Sequence, residues 1–274
     1  MNPEDPCADQ PDGYGPVASP DTVAAFKATS AFHSSAKNAK APTGYASTFT
    51  DLDGATSAAS YLGLQTLKSY DVSQCGSFCD NTTTCTSFNI YVERDPKYNP
   101  STTYCCPNPV SITNYKCTLW GSIIDNTTAT NVGQTREQFQ VAITASNGYT
   151  KANTTTPATP SGWTNPQKCE GAHSHPTTCI GKKFFPGPYN PQLCASYAQA
   201  QNLKNGASTG RNSLYSANTC NFFNAYMLKK NKKPVGTYCS LFAEQYESKW
   251  ATYFPGVSGG NSYDVETSWS FCLS

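Results

Sequence analysis

Histidine is the scarce chemical resource of this chain, present only as His33, His173 and His175. His173 and His175 bracket a single residue, and Cys169 and Cys179 lie four residues to either side. Those side chains could ligate zinc as a Cys/His set, although the spacing departs from that of structural zinc motifs. A loop closed by a Cys169–Cys179 disulfide, with both imidazoles exposed, is the simpler reading, so no metal and no other cofactor is expected. Nucleophilic catalysis asks for a base beside the nucleophile, and no Gly-x-Ser-x-Gly elbow is present. Paired carboxylates could hydrolyse glycosides, with Glu93, Asp95, Glu244, Glu247, Asp264 and Glu266 as the available acids. Nothing in the sequence sets two of them across a substrate. Glu93-Arg94-Asp95 reads instead as a local ion pair at a strand end, and no catalytic residue is expected.

Sugar binding suits the composition better. Flat aromatic faces stack on pyranose rings, while Asn, Asp and Gln satisfy hydroxyls. Aromatic residues make up 12% of the chain, and Tyr alone occurs 17 times. Cys85-Thr-Ser-Phe88-Asn89-Ile90-Tyr91-Val92 returns without a gap as Cys220-Asn-Phe-Phe223-Asn224-Ala225-Tyr226-Met227. Strand alternation turns Phe88, Ile90 and Val92 to one side and Asn89, Tyr91 and Glu93 to the other. Asn89, Tyr91, Asn224 and Tyr226 are therefore the candidate ligand contacts. Shared packing explains the repeated identities equally well, for instance an Asn side chain bonding loop backbone. The lysines from Lys229 to Lys233 could form a polyanion patch or simply be solvated on a hairpin tip. Trp120, Trp163, Trp250 and Trp269 read as core or interface residues.

The elements that position these residues also come twice. Tyr70-Asp71-Val-Ser-Gln-Cys75 is echoed by Tyr189-Asn190-Pro-Gln-Leu-Cys194, and Cys117-Thr-Leu119-Trp120 by Cys239-Ser-Leu241-Phe242. Asp71 sits where a helix N-cap belongs, and Cys75 and Cys79 at i and i+4 share one face of a short helix. Asn190-Pro191 opens a second helix with Pro at its first position. Strands are expected at 45–49, 61–67, 85–93, 116–120 and 138–144, then at 220–228, 238–242 and 263–269. Asn147-Gly148 reads as a turn. The organisation implied is an N-terminal arm over 1–45, extended apart from a short helix near 20–27 and pinned by Cys7. A first module over 46–149, a polar linker over 150–168 and a second module over 169–274 follow.

Charged residues are only 14% of the chain and the formal net charge is +1. Such a chain offers no basic face for nucleic acid or for an anionic membrane. Thirteen cysteines imply an oxidising compartment and a disulfide framework. Asn81, Asn126 and Asn153 each open an Asn-Thr-Thr glycosylation sequon. The start Met1-Asn-Pro-Glu-Asp-Pro lacks the basic and apolar regions of a signal peptide, so a leader is expected to have been removed before it. No apolar run approaches the roughly 18 residues that span a bilayer. A secreted protein of the extracellular space or cell wall is expected.

A helix carrying Cys-x3-Cys, a strand opening Cys-x-x-Phe and a strand reading Cys-x-Leu-Trp together resemble the PAN/apple module. The resemblance implies one helix packed on a small antiparallel sheet. It also implies the disulfides Cys75–Cys117 and Cys79–Cys85 in the first copy and Cys194–Cys239 in the second. The position matching Cys79 is Ala198, which leaves Cys220 to pair elsewhere, with Cys272 for example, or to stay free. Cys7, Cys105 and Cys106 have no assigned partners, and the odd count leaves at least one thiol free or intermolecular. Tyr14-Gly-Pro16, Phe88 to Pro96, Ser146 to Tyr149 and Cys220 to Asn224 further resemble a group of secreted proteins of filamentous fungi. The fold expected is α+β, two tandem disulfide-stapled modules, each a short helix on a small antiparallel sheet. The function expected is non-catalytic binding of extracellular carbohydrate or protein. A self-associating wall or matrix component is the alternative, and a hydrolase of unrecognised type the next.

Overall fold

The computed structural model describes residues 2–11, 13–152, 156–208 and 219–274. The chain has few helices, is built mostly of antiparallel strands, and carries four disulfides. Two compact units divide it. The first holds Met1–Ser57, Tyr61–Trp120 and Ile124–Asn153, and the second holds the short segments Ala58–Ser60 and Gly121–Ile123 with Thr154–Ser274.

In the first unit the elements run α1 (Val23–Lys27), α2 (Ser30–Asn38), β1 (Tyr45–Leu52), β2 (Tyr61–Leu67), α3 (Val72–Asp80), β3 (Ser87–Pro96), β4 (Ser111–Trp120), β5 (Thr135–Arg136), β6 (Phe139–Gln140) and β7 (Ala142–Lys151). The sheet order is β1-β7-β3-β4-β2, and every neighbouring pair is antiparallel. α3 starts where Asp71 caps it, its side chain accepting from the Gln74 N–H. The buried stripe of α3, Val72, Cys75 and Cys79, lies on Phe88, Ile90 and Leu119 of the sheet. Cys75–Cys117 and Cys79–Cys85 tie that helix to β4 and to the start of β3. Such staples matter where a core is small, because each removes loop entropy from the unfolded chain.

Two features depart from the linear reading. The N-terminal segment is not simply extended, because α2 follows α1. Phe26, Phe32 and Ala36 pack on Val92, Ala142 and Ala145, and Cys7 bonds Cys106. Nor is Asn147-Gly148 a turn; both lie inside β7. Asn147 is buried and its side chain accepts from the Asp51 N–H and donates to the Ala36 carbonyl. Gly148 is required for space, since a Cβ there would collide with the Phe49 ring.

In the second unit the elements run β8 (Trp163–Cys169), β9 (Cys179–Pro186), α4 (Pro191–Ser208), β10 (Phe222–Lys230), β11 (Lys233–Phe242), a single 3-10 turn (Ser248–Trp250), β12 (Gly256–Ser258) and β13 (Asn261–Leu273). β7 ends at Lys151 and β8 begins at Trp163, so both ends of the expected 150–168 linker are strand. The sheet runs β13-β10-β11-β9, with β12 and β8 both pairing the outer edge of β13. In both units the order is therefore first, fifth, third, fourth, second strand, leaving aside the short β5, β6 and β12. The helix sits between the second and third strands of each. α4 buries Cys194, Ala195 and Ala198 against Phe223, Ala225 and Leu241, and Cys194–Cys239 is its one disulfide. Asn231 and Lys232 turn the β10–β11 hairpin with φ of 50° and 67°, as a two-residue type I′ turn requires.

Candidate binding site: a tyrosine-lined cavity on the second sheet

Alternation puts Tyr226 and Leu228 of β10 on the sheet face opposite α4, with Tyr238 and Ser240 of β11 and Lys182 of β9 beside them. The pairings Tyr226↔Tyr238, Leu228↔Gly236 and Ser240↔Lys182 set this row. The Tyr226 and Tyr238 rings stack with centroids 5.2 Å apart. Two loops wall the row. The Gly171 and Ala172 N–H groups donate to the carbonyls of Ala251 and Tyr253, and the Tyr253 N–H donates back to Ala172. Between loops and sheet lies a cavity of about 220 Å³ bounded by His173, Lys182, Tyr226, Tyr238, Tyr253 and Tyr263, among others. Trp250 and Phe254, near Tyr253 in the chain, are more than half exposed. Trp250 is thus a surface residue, whereas Trp120, Trp163 and Trp269 are buried.

Of the four expected ligand contacts, only Tyr226 reaches this cavity. Asn89, Tyr91 and Asn224 are buried under loops, because the sheet face opposite the helix is itself covered in each unit. Tyr91 packs with Ala55 and Ile143. Asn89 accepts the Thr56 N–H (2.8 Å) and donates to Ser146 Oγ (2.9 Å) and the Asn147 carbonyl (2.8 Å). Asn224 accepts the His173 N–H (3.0 Å) and donates to Ser268 Oγ (3.0 Å) and the Trp269 carbonyl (3.0 Å). Both asparagines are clasps that fasten a loop to the sheet. The one in the second unit holds the wall of the cavity.

Cys169 and Cys179 do not pair; both are free thiols. Cys169 lies on β8 and Cys179 on β9, at opposite edges of the sheet. Four interstrand steps of roughly 4.8 Å put them about 19 Å apart, far beyond a disulfide's reach. Cys105, Cys220 and Cys272 are free as well. His173 is not exposed but buried, with Nδ1 3.1 Å from His175 Nε2 and Nε2 3.8 Å from Cys169 Sγ. Burial, and then the neighbouring His175, hold the His173 imidazole down at about 4. Burial pushes the Cys169 thiol up. Thiol and imidazole are thus both neutral at pH 7, the reverse of the thiolate–imidazolium pair that a cysteine nucleophile uses. Among the described residues, no cluster of three or more His, Cys, Asp or Glu has the geometry of a metal site.

The matching face of the first unit is filled instead of hollow. Glu93 and Asp95 lie two residues apart on β3, with Asn114 of β4 opposite Glu93 and Lys116 opposite Tyr91. Asn114 donates to Asp95 (2.8 Å), and Lys116 Nζ sits 3.8 Å from the same carboxylate and 3.2 Å from Thr66 Oγ1. Burial, then the charge of Asp95, raises the Glu93 carboxyl, while Lys116 pulls it down. Arg94 does not join this group. Alternation sends it to the helix face, where it pairs with Asp21 at 2.7 Å and lies over the Phe139 ring. Among the sequon asparagines, Asn81 and Asn126 are exposed, and Asn153 lies outside the described residues.

The cavity residues that the linear reading missed divide into two kinds. Tyr238 could have been found from the β11 alternation opposite Tyr226. Tyr253 and Tyr263 carry no local signal, since a loop and a distant strand bring them in. Compared with known proteins, the chain matches no family model, no curated protein and no solved structure.

Proposed function

We propose that this is an extracellular carbohydrate-binding protein made of two copies of one PAN/apple-like module, of the secreted fungal kind, with the binding site on the second. The observation that carries the reading is the cavity bounded by four tyrosines. Rings of this kind stack on the apolar faces of sugars, and their hydroxyls meet sugar hydroxyls at the edges. The cavity falls below the roughly 300–1,000 Å³ of sites for drug-sized ligands, so it suits one sugar ring. The shared strand order, the paired Asn clasps and the equivalent bonds from the Tyr70 hydroxyl to the Ile90 carbonyl and from the Tyr189 hydroxyl to the Ala225 carbonyl support common ancestry of the units. Secretion accords with four disulfides, and with the buried free thiols of Cys169, Cys220 and Cys272, which burial pushes up, Cys220 to about 11. Among the described residues, no helix is long and apolar enough to cross a membrane. Asn81 and Asn126 would carry glycans.

The test is an array of fungal and plant polysaccharides probed with the wild type and with Tyr238→Ala. Retention on a defined glycan, weakened at least tenfold by the substitution, is the expected result. No retention on any glycan refutes the reading. The exposed thiol of Cys105 favours a second reading, a wall component that self-associates through an intermolecular disulfide. Non-reducing electrophoresis then shows a dimer that Cys105→Ser abolishes; a strictly monomeric wild type excludes it.

A further inference from the structure

Lys182 is the one charged residue among those bounding the cavity, and no carboxylate joins it. Its side chain has no ion-pair partner among the described residues. The adjacent Lys183 serves the other side of the strand, lying over the rings of Phe185 and Tyr197. A second cation continues the cavity floor. Tyr226, Leu228 and Lys230 alternate to one face of β10, and Lys230 pairs across the sheet with Tyr263, itself a cavity residue. Lys230 and the neighbouring Lys232 are exposed. The nearby Glu266 is already engaged by Lys229 at 3.6 Å. The floor is thus apolar and aromatic, with one ammonium at its β9 side and another where it runs out toward the hairpin tip.

Resting on the sugar reading of the cavity, we propose that its ligand is an acidic sugar, a uronic acid residue of an acidic polysaccharide, with its carboxylate at Lys182. The next residues of the chain pass toward Lys230 and Lys232. The aromatic rings take the ring faces, which uronic and neutral sugars share. Lys182 separates the two, because its ammonium gains a charged partner from a carboxylate and none from a neutral sugar.

The experiment is titration calorimetry of the full chain with short oligomers of galacturonate and of glucuronate, each beside its methyl ester. The esters keep ring and hydroxyls and remove only the charge. The free acid of one series is expected to bind at least tenfold more tightly than its ester, by a margin that shrinks as salt rises. Lys182→Gln, a surface change that leaves the fold intact, should cost the acid about tenfold and the ester nothing. Lys230→Gln should cost the acid a few-fold. Equal binding of acid and ester, or a Lys182→Gln protein that keeps the full wild-type preference for the acid, overturns this inference and leaves the sugar reading standing. Binding of neither form, together with silence on the polysaccharide array, overturns both.

Discussion

The two sheets differ most on the face away from the helix. In the first unit that face is closed, with Tyr91 under the 53–57 loop and Glu93, Asp95, Asn114 and Lys116 filling the rest. In the second, Leu228 stands where Glu93 does and Tyr238 where Lys116 does, and a cavity remains. The helix face differs in the opposite sense. Two disulfides hold α3, whereas one holds α4, with Ala198 at the place of Cys79. The same backbone plan thus supports a tightly stapled unit with a filled outer face and a less stapled unit with an open one. Residues repeated in both, namely Asn89 and Asn224 or Tyr70 and Tyr189, serve the plan. Residues that differ set what each face can bind.

The largest test of this contrast is the removal of staples. Cys194–Cys239 closes a separation of 45 residues and Cys79–Cys85 one of 6. Chain-entropy arguments give about 4 and about 2 kcal/mol for such loops. Replacing Cys194 and Cys239 by Ser should therefore release hydrogen-exchange protection across β10 and β11, while the Cys79→Ser/Cys85→Ser pair leaves most of β3 protected. Equal loss in the two variants would break the contrast.

Restoring the missing staple comes next. Ala198→Cys should pair with Cys220, whose sulfur stands 3.3 Å from the Phe222 carbonyl as that of Cys85 does from Ser87. Closing that loop should stabilise the second unit by about 3 kcal/mol. Thiol titration would show one fewer free thiol than in wild type, and calorimetry a higher melting temperature. An unpaired pair of thiols would mean that the helices are not equivalent.

Cutting a clasp should cost somewhat less. Asn89→Ala and Asn224→Ala each strand a buried loop N–H and a strand carbonyl, a loss of about 2–3 kcal/mol. Only Asn224→Ala should also weaken ligand binding, because only there does the loop form a cavity wall.

The smallest effect is on pH dependence, and its sign differs between units. In the first, His33 donates to the Lys27 carbonyl and to Asp51, and these bonds raise its pKa. Its contribution is complete below the unfolded pKa near 6.5 and is lost as pH rises through the raised folded value. In the second, His173 is buried with its pKa lowered to about 4, so its protonation opposes folding and stability falls from pH 6.5 toward 4. Exchange protection measured at pH 5 and pH 8 should therefore move in opposite directions around α2 and around the 171–174 loop. His33→Gln and His173→Gln should each abolish one of the two trends.

Much of the plan is written in short segments of the chain. Asp71 as a cap, Pro191 as a first helical residue, Cys75 and Cys79 on one helical face and the alternation of 88–93 depend on neighbours within four residues, where backbone geometry decides. The alternation correctly separated Phe88, Ile90 and Val92 from Asn89, Tyr91 and Glu93, and it also implies that Arg94 leaves its acidic neighbours. Asn89, Tyr91 and Asn224, expected as ligand contacts on the second face, are covered instead. Period 2 reports which residues share a face and carries nothing about what covers that face.

What the sequence determined by itself, then, is local: caps, turns, alternation, the repeat, and cysteines placed on one helical face. Tertiary structure alone decided the long-range meetings. It placed Cys169 and Cys179 at opposite sheet edges, made Gly148 a gap for the Phe49 ring, and turned two asparagines into clasps. It also gathered Tyr226, Tyr238, Tyr253, Tyr263 and Lys182 around one space. The physical reason is that covering a sheet face takes loops from distant parts of the chain. Which loop arrives is set by the packing of the whole unit, beyond the reach of any short-range pattern.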